Sequence, residues 1–280
     1  MLRIALDSNL FPALLETGPA ATHLKMFLSE KRNGNVFVIA PQVLTECLQA
    51  PDRISDRLLG VYQEWCDGIL GSDAMEIMTR ELRGPAQETR PKELRLRSIS
   101  HVHLAKGPKN RASVSSFLAR QREGYRQLEG MMPQLWNTLR KERTRDIPPF
   151  TQYAQKRRSD VFHAFLLYAA SKGHLDISGP LSDAELERRW ESAPALRLVS
   201  WHVIANEYRT IAKLRKKGQG KGSMTDVRML FECAYVDEFI TRDTDLFECW
   251  QMLADEEFIE RPRVVLFPPS RRLSGVGPMS

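Results

Sequence analysis

The sequence predicts an α/β fold built on a parallel sheet, and three observations carry that prediction. Short runs at Arg3–Leu6, Val36–Ala40, Asp237–Ile240 and Arg263–Phe267 read as strands, and Val36–Ala40, continuously β-branched and aromatic, reads as one buried on both faces. The first three are each followed by a stretch with apolar residues at helical spacing. Both ends of the 280-residue chain share this grammar, so the sheet needs both to close.

In chain order, Arg3-Ile-Ala-Leu6 ends at Asp7-Ser-Asn9, and a helical stretch follows from Phe11 to Lys31, with Leu14, Leu15, Leu24, Phe27 and Leu28 on its inner face. Asn33-Gly-Asn35 breaks it. Val36–Ala40 is the second strand, closed by Pro41, and Gln42–Leu48 begins another helix. A right-handed βαβ unit is the economical topology. Near the other end, Ser223-Met-Thr-Asp226 opens a helix that runs through Ala234. Then come the Asp237–Ile240 strand, a helix over Leu246–Leu253, and the Arg263–Phe267 strand before Pro268-Pro269.

The middle is mainly helical, with apolar periodicity over Leu58–Ile69, Val114–Leu128, Ser159–Ser171 and Leu198–Leu214. Arg83–Asn110 reads as a loop. The domain reading is therefore a split α/β core over 1–50 and 220–268, a helical, basic insertion over 51–219, and a flexible tail over 270–280.

Apolar residues make up 42% of the chain and charged ones 27%, which excludes a disordered chain, a collagen-like repeat and a coiled-coil rod. No apolar run approaches the roughly 18 residues of a membrane helix, and Asp7 interrupts the first residues too early for a signal peptide. Cys47, Cys66, Cys233 and Cys249 are scattered, with no CxxC pair, so the expectation is a reducing cytoplasm without a disulfide framework or structural zinc. The net charge is +6, but Arg80 to Arg158 holds 19 Lys/Arg against seven Asp/Glu. A basic middle framed by acidic ends points to a polyanion, nucleic acid first; the alternative is a solvated basic surface.

The acids stand out by position. Ligands of an open parallel sheet bind at the carboxyl ends of its strands. Asp7 ends the first strand, Asp243 follows the third, Glu46 lies a helical turn beyond the second, and Asp226 sits in the first turn of the helix leading to the third. If those strands are neighbours, four carboxylates converge and require cations. Hard oxygen ligands without nearby His or Cys select Mg²⁺ or Mn²⁺ over zinc. Taken singly, each acid has a plainer reading, as a turn or helix cap for the aspartates and a solvated side chain for Glu46.

These residues carry a resemblance. Ile4-Ala-Leu-Asp7-Ser-Asn9-Leu-Phe11 resembles the opening motif of PIN-domain nucleases, and Ala40-Pro-Gln-Val-Leu-Thr-Glu46 resembles their second. Ser223-Met-Thr-Asp226 and Phe239-Ile-Thr241-Arg-Asp243-Thr-Asp245-Leu-Phe247 resemble the third acid and the final Thr-x-Asp-x-Asp element. The resemblance covers roughly 1–50 and 220–268. It implies a PIN-like α/β/α sandwich and a Mg²⁺- or Mn²⁺-dependent nuclease acting on RNA. Asp7, Glu46, Asp226 and Asp243 become metal ligands or water activators, and Asn9 and Thr241 groups that position them. Asp245 is either a further ligand or the cap of the helix after it. The long insertion departs from simple family members. A toxin or defence role, with an antitoxin or a second copy as partner, stays open. So do a non-cleaving RNA- or protein-binding module and a flap-type DNA nuclease.

The remaining signals are weaker. Arg120 and Arg122, Arg140, Lys141 and Arg143, and Lys156, Arg157 and Arg158 are candidate phosphate contacts. Arg215–Ser223, with Lys221, reads as a basic hinge delivering Asp226, since it lacks the phosphate-loop spacing. His101 and His103 have no third ligand at suitable spacing. Tyr125, Trp136 and Tyr153 either stack bases or fill a core. Ser8, Ser223 and Thr225 have no His base, which excludes a serine hydrolase.

Overall fold

The structure is a computed structural model that describes residues 1–49, 52–72, 74–83, 96–97, 147–171, 182–212 and 223–267. The chain runs β1 (Arg3–Leu6), α1 (Leu10–Leu15), α2 (Pro19–Arg32), β2 (Val36–Ile39), α3 (Pro41–Gln49), α4 (Asp52–Trp65), β3 (Gly68–Leu70), α5 (Ala74–Arg83) and β4 (Leu96–Arg97). It continues with α6 (Phe150–Ser171), α7 (Asp183–Ser192), α8 (Pro194–Ile211), α9 (Ser223–Cys233), β5 (Glu238–Thr241), α10 (Thr244–Asp255) and β6 (Arg263–Leu266). The sheet order is β4-β3-β2-β1-β5-β6. Five strands are parallel, and only the two-residue β4 is antiparallel to its neighbour.

That order fixes where a ligand can bind. From β1 the chain moves outward through β2 to β3, then returns to the other side of β1 as β5. The direction of winding reverses between β1 and β5, and a crevice opens at the carboxyl ends of such a pair. Leu6 pairs with Ile240, so the first residues past each strand, Asp7 and the Thr241–Asp243 turn, face one another across it.

Three predicted elements differ from the structure. The single helix over Phe11–Lys31 is two, because Gly18 adopts a φ of 124° and Pro19, lacking an N–H, starts a new helix at its first turn. The helix predicted over Leu58–Ile69 ends at Trp65, and Gly68–Leu70 becomes a strand instead. Asp67 sets that switch: its carboxylate accepts the Phe37 N–H at 2.8 Å and its own N–H donates to the Phe37 carbonyl at 2.8 Å, which docks the segment on β2. Within the Arg83–Asn110 stretch read as a loop, Leu96–Arg97 pair with β3.

The stretch read as an insertion thus gives the sheet β3 and β4. It also packs into the one large core, which runs from Ile4 to Phe267 and takes in Phe162 and Leu166 of α6 and Val199 and Ile204 of α8. Helix α8 lies against α5, α6, α7, α9 and α10. Trp190 meets Trp201 edge to face, and Trp201 stacks on Phe258. Tyr153 packs its ring on Tyr208, on the core reading of that residue. All four cysteines are buried, and none is in a disulfide. Among the described residues, no helix is long and apolar enough to cross a membrane.

Candidate functional site

The strand ends dictate the site. The Asp7 N–H still belongs to the sheet, donating to the Ile240 carbonyl at 3.0 Å, while its carbonyl accepts from Leu10 at 3.1 Å and turns the chain into α1. Its side chain is buried just past the carboxyl end of β1, 4% exposed. The buried Thr241 hydroxyl donates to Asp7 Oδ2 and accepts from Asn9 Nδ2 at 3.3 Å and the Asp243 N–H at 2.9 Å. Asn9 Oδ1 accepts the Arg242 N–H at 3.0 Å. Asn9 and Thr241 therefore lock the β1–α1 turn onto the β5–α10 turn.

Asp243 is the N-cap of α10; its Oδ1 accepts the N–H groups of Asp245 at 2.8 Å and Leu246 at 3.1 Å, leaving Oδ2 without a hydrogen bond among the described residues. Asp245, the alternative cap, is turned to Arg209 instead, which lies 3.4 Å from its carboxylate and donates to its carbonyl at 2.6 Å. Glu46 projects from α3, where Gln42 Nε2 donates to it at 3.3 Å. The Ser8 hydroxyl donates to Asp7 Oδ1 at 3.3 Å and lies close enough to Glu46 to favour its charged form.

These acids act on one another. The Asp7 carboxyl is pushed up to about 6 from 3.8, first by burial, then by the negative charges of Glu46 and Asp243, with the Thr241 hydroxyl pulling it down. Burial also raises Glu46, against hydrogen bonds from Ser8 and Gln42. Among the described residues no Lys or Arg forms an ion pair with Asp7, Glu46 or Asp243. Like charges about 4 Å apart repel by roughly 4 kcal/mol at an effective dielectric of 20, so such a group favours a cation. Asp226 stands half-buried in the first turn of α9 and is not among the charges acting most on Asp7.

The donor set suits a hard cation in its chemistry. Besides the carboxylates, Gln42 Oε1 is buried and accepts no hydrogen bond among the described residues. All these donors are oxygens, which favours Mg²⁺ or Mn²⁺. Among the described residues, however, no set of three or more His, Cys, Asp or Glu side chains is already arranged to hold a metal ion. Sequence reasoning overlooked Gln42 and the Ser8 contacts with the acids. The signal for Gln42 was its place four residues before Glu46, one helical turn away on the same face.

The candidate phosphate contacts divide. Arg157 is held by Glu207 and Asp160, and Arg158 by Glu187 with its guanidinium over Trp190. Lys156 is exposed. Arg120, Arg122, Arg140, Lys141, Arg143, Lys221, His101, His103, Tyr125, Trp136 and the 270–280 tail lie outside the described residues. Asp237 accepts the Arg3 N–H at 2.9 Å and Arg261 Nη1 at 3.2 Å, a structural role.

Thr241→Val preserves shape and removes the hydroxyl that favours ionised Asp7. The Asp7 titration midpoint should climb above about 6, as read by carboxyl carbon NMR. A midpoint that stays or falls contradicts this assignment of the hydroxyl.

Compared with known proteins, the chain matches no family model, no curated protein and no solved structure.

Proposed function

We propose that the chain is a divalent-metal-dependent endonuclease that hydrolyses phosphodiester bonds, with RNA as its substrate. One observation carries the reading: buried Asp7 at the end of β1 feels the negative charges of Glu46 on α3 and of Asp243 in the turn after β5, where the sheet reverses its winding, and no Lys or Arg of the described residues pairs with any of the three. The motif resemblance to PIN-domain nucleases supports it, since the same three positions carry that resemblance. A sheet with five parallel strands also agrees with the architecture the resemblance implies.

Mg²⁺ or Mn²⁺, when bound, supplies Lewis acidity toward the phosphate and lowers the pKa of a water molecule. Asp7, Glu46 and Asp243 would hold the ion, joined by Asp226 from α9. Thr241 engages Asp7 Oδ2 and fixes the direction of Oδ1. Asp243 commits Oδ1 to the helix cap, so Oδ2 is the oxygen offered to a ligand. Asn9 keeps the two turns in register. The basic stretch from Arg80 to Arg158 gives the polyanion a salt-dependent affinity.

Parallel assays on single-stranded RNA, single-stranded DNA and flap DNA test this. RNA should be cut with Mg²⁺ or Mn²⁺, cutting should stop in excess EDTA, and added Mn²⁺ should restore it. Undiminished cleavage in EDTA rejects the chemistry. RNA binding without divalent-ion uptake in calorimetry indicates a non-cleaving module, and preference for flap DNA reassigns the substrate.

A further inference from the structure

Glu232 is the lone charge in the apolar run Met229–Val236, and it is 3% exposed. A buried carboxylate is costly unless its oxygens are satisfied. Glu232 Oε2 accepts the Gln42 N–H at 2.7 Å, and Oε1 accepts the Ala74 N–H at 3.2 Å. Those N–H groups belong to the first turns of α3 and α5, where helix donors lack internal partners and the helix dipole is positive.

We infer that Glu232 is a positioning residue for the metal site, tying the helix that carries Asp226 to the helix that carries Glu46. The inference rests on the metal-dependent reading above. The connection is continuous. Glu232 and Asp226 share α9; Glu232 holds the backbone of Gln42; the Gln42 side chain donates to Glu46 through Nε2 and keeps its Oε1 buried and without a donor among the described residues. The neighbouring Cys233 thiol is pushed up by burial and then by the charges of both Glu232 and Asp7, so the clamp and the site are within electrostatic reach of one side chain.

Glu81 provides the structural counterpart. It is 2% exposed on α5, and its two oxygens accept the N–H groups of Ala195 at 2.8 Å and Leu196 at 2.9 Å at the start of α8. It does the same structural work at a helix that bears none of the four acids.

The test compares full-length wild type, Glu232→Gln, Glu81→Gln and Gln42→Leu. Melting is measured in EDTA, and Mn²⁺ affinity by calorimetry well below every melting point. Both glutamate variants should melt lower. Only Glu232→Gln should weaken Mn²⁺ binding, by about tenfold, in line with other groups that orient ligands from behind, and excess Mn²⁺ should restore its cleavage rate. Gln42→Leu, which keeps its backbone N–H, should weaken Mn²⁺ binding in the same direction. Wild-type affinity in Glu232→Gln, or an equal loss in Glu81→Gln, overturns the inference. If Glu232→Gln does not fold, wild-type affinity in Gln42→Leu overturns it. A wild-type chain that takes up no Mn²⁺ rejects the metal site itself, and the inference with it.

Discussion

Asp7→Asn should abolish cleavage and raise thermal stability at neutral pH. The loss of rate should be about a hundred- to a thousandfold or more, the scale seen when preorganised charge stabilisation is removed from a reacting group. The gain in stability follows from linkage. A carboxyl whose pKa is about 6 when folded and near 3.8 when unfolded binds its proton more tightly in the native state. Below pH 3.8 both states are protonated and burial carries no ionisation cost. Between those values the native state loses stability as pH rises, and above about 6 the cost is fully present. At 1.36 kcal/mol per pH unit, that cost is on the order of 3 kcal/mol, an upper figure because the amide replacing the carboxylate needs hydrogen bonds of its own. The variant and wild type should therefore melt together near pH 4 in EDTA and separate by several degrees at pH 7–8, the variant higher. Wild-type cleavage by the variant rejects Asp7 as a catalytic residue, and a variant that melts lower at pH 8 rejects the electrostatic description. An acid kept at a cost to stability is a mark of a functional site.

The parts of this fold that the sequence announces are those set by local pattern. Val36–Ile39 and Arg263–Leu266 are runs of β-branched and aromatic residues with turn residues at their ends, and they form strands as expected. Asp7 and Asp243 were legible because a parallel sheet directs ligands to strand ends, and the Leu6–Ile240 register brings the two turns together. What local pattern hides is decided by tertiary partners. Gly68–Leu70 is three residues long and continues an apolar helical rhythm; its pairing with β2 and β4 makes it a strand. Glu232 and Glu81 look like surface residues on helices, yet each is buried against N–H groups more than a hundred positions away. The basic run Lys156-Arg-Arg158 looks like a phosphate-binding face, yet two of its members meet acids brought by α7 and α8.

That last contrast carries the second large effect. Glu207 is 1% exposed in α8 and accepts hydrogen bonds from Tyr153 at 3.2 Å and from Arg157 Nε and Nη2, each at 3.2 Å. Arg157→Met keeps the apolar stem and removes the charge, stranding a buried carboxylate. Breaking a buried pair in this way costs about 3–5 kcal/mol, whereas replacing both partners by apolar residues of similar volume is often nearly neutral. Arg157→Met should therefore melt lower by on the order of 10 °C, and adding Glu207→Leu should recover much of that loss. Glu207→Gln should cost less than Arg157→Met, because the Arg157 side chain is 27% exposed and retains Asp160 at 2.8 Å. The salt dependence of RNA binding separates the two roles of Arg157. A side chain held by Glu207 leaves the slope of log affinity against log salt unchanged when it is removed, whereas a phosphate contact lowers that slope by about one. An unchanged melting point with a reduced slope would return Arg157 to the nucleic-acid interface and reject the ion pair as its role.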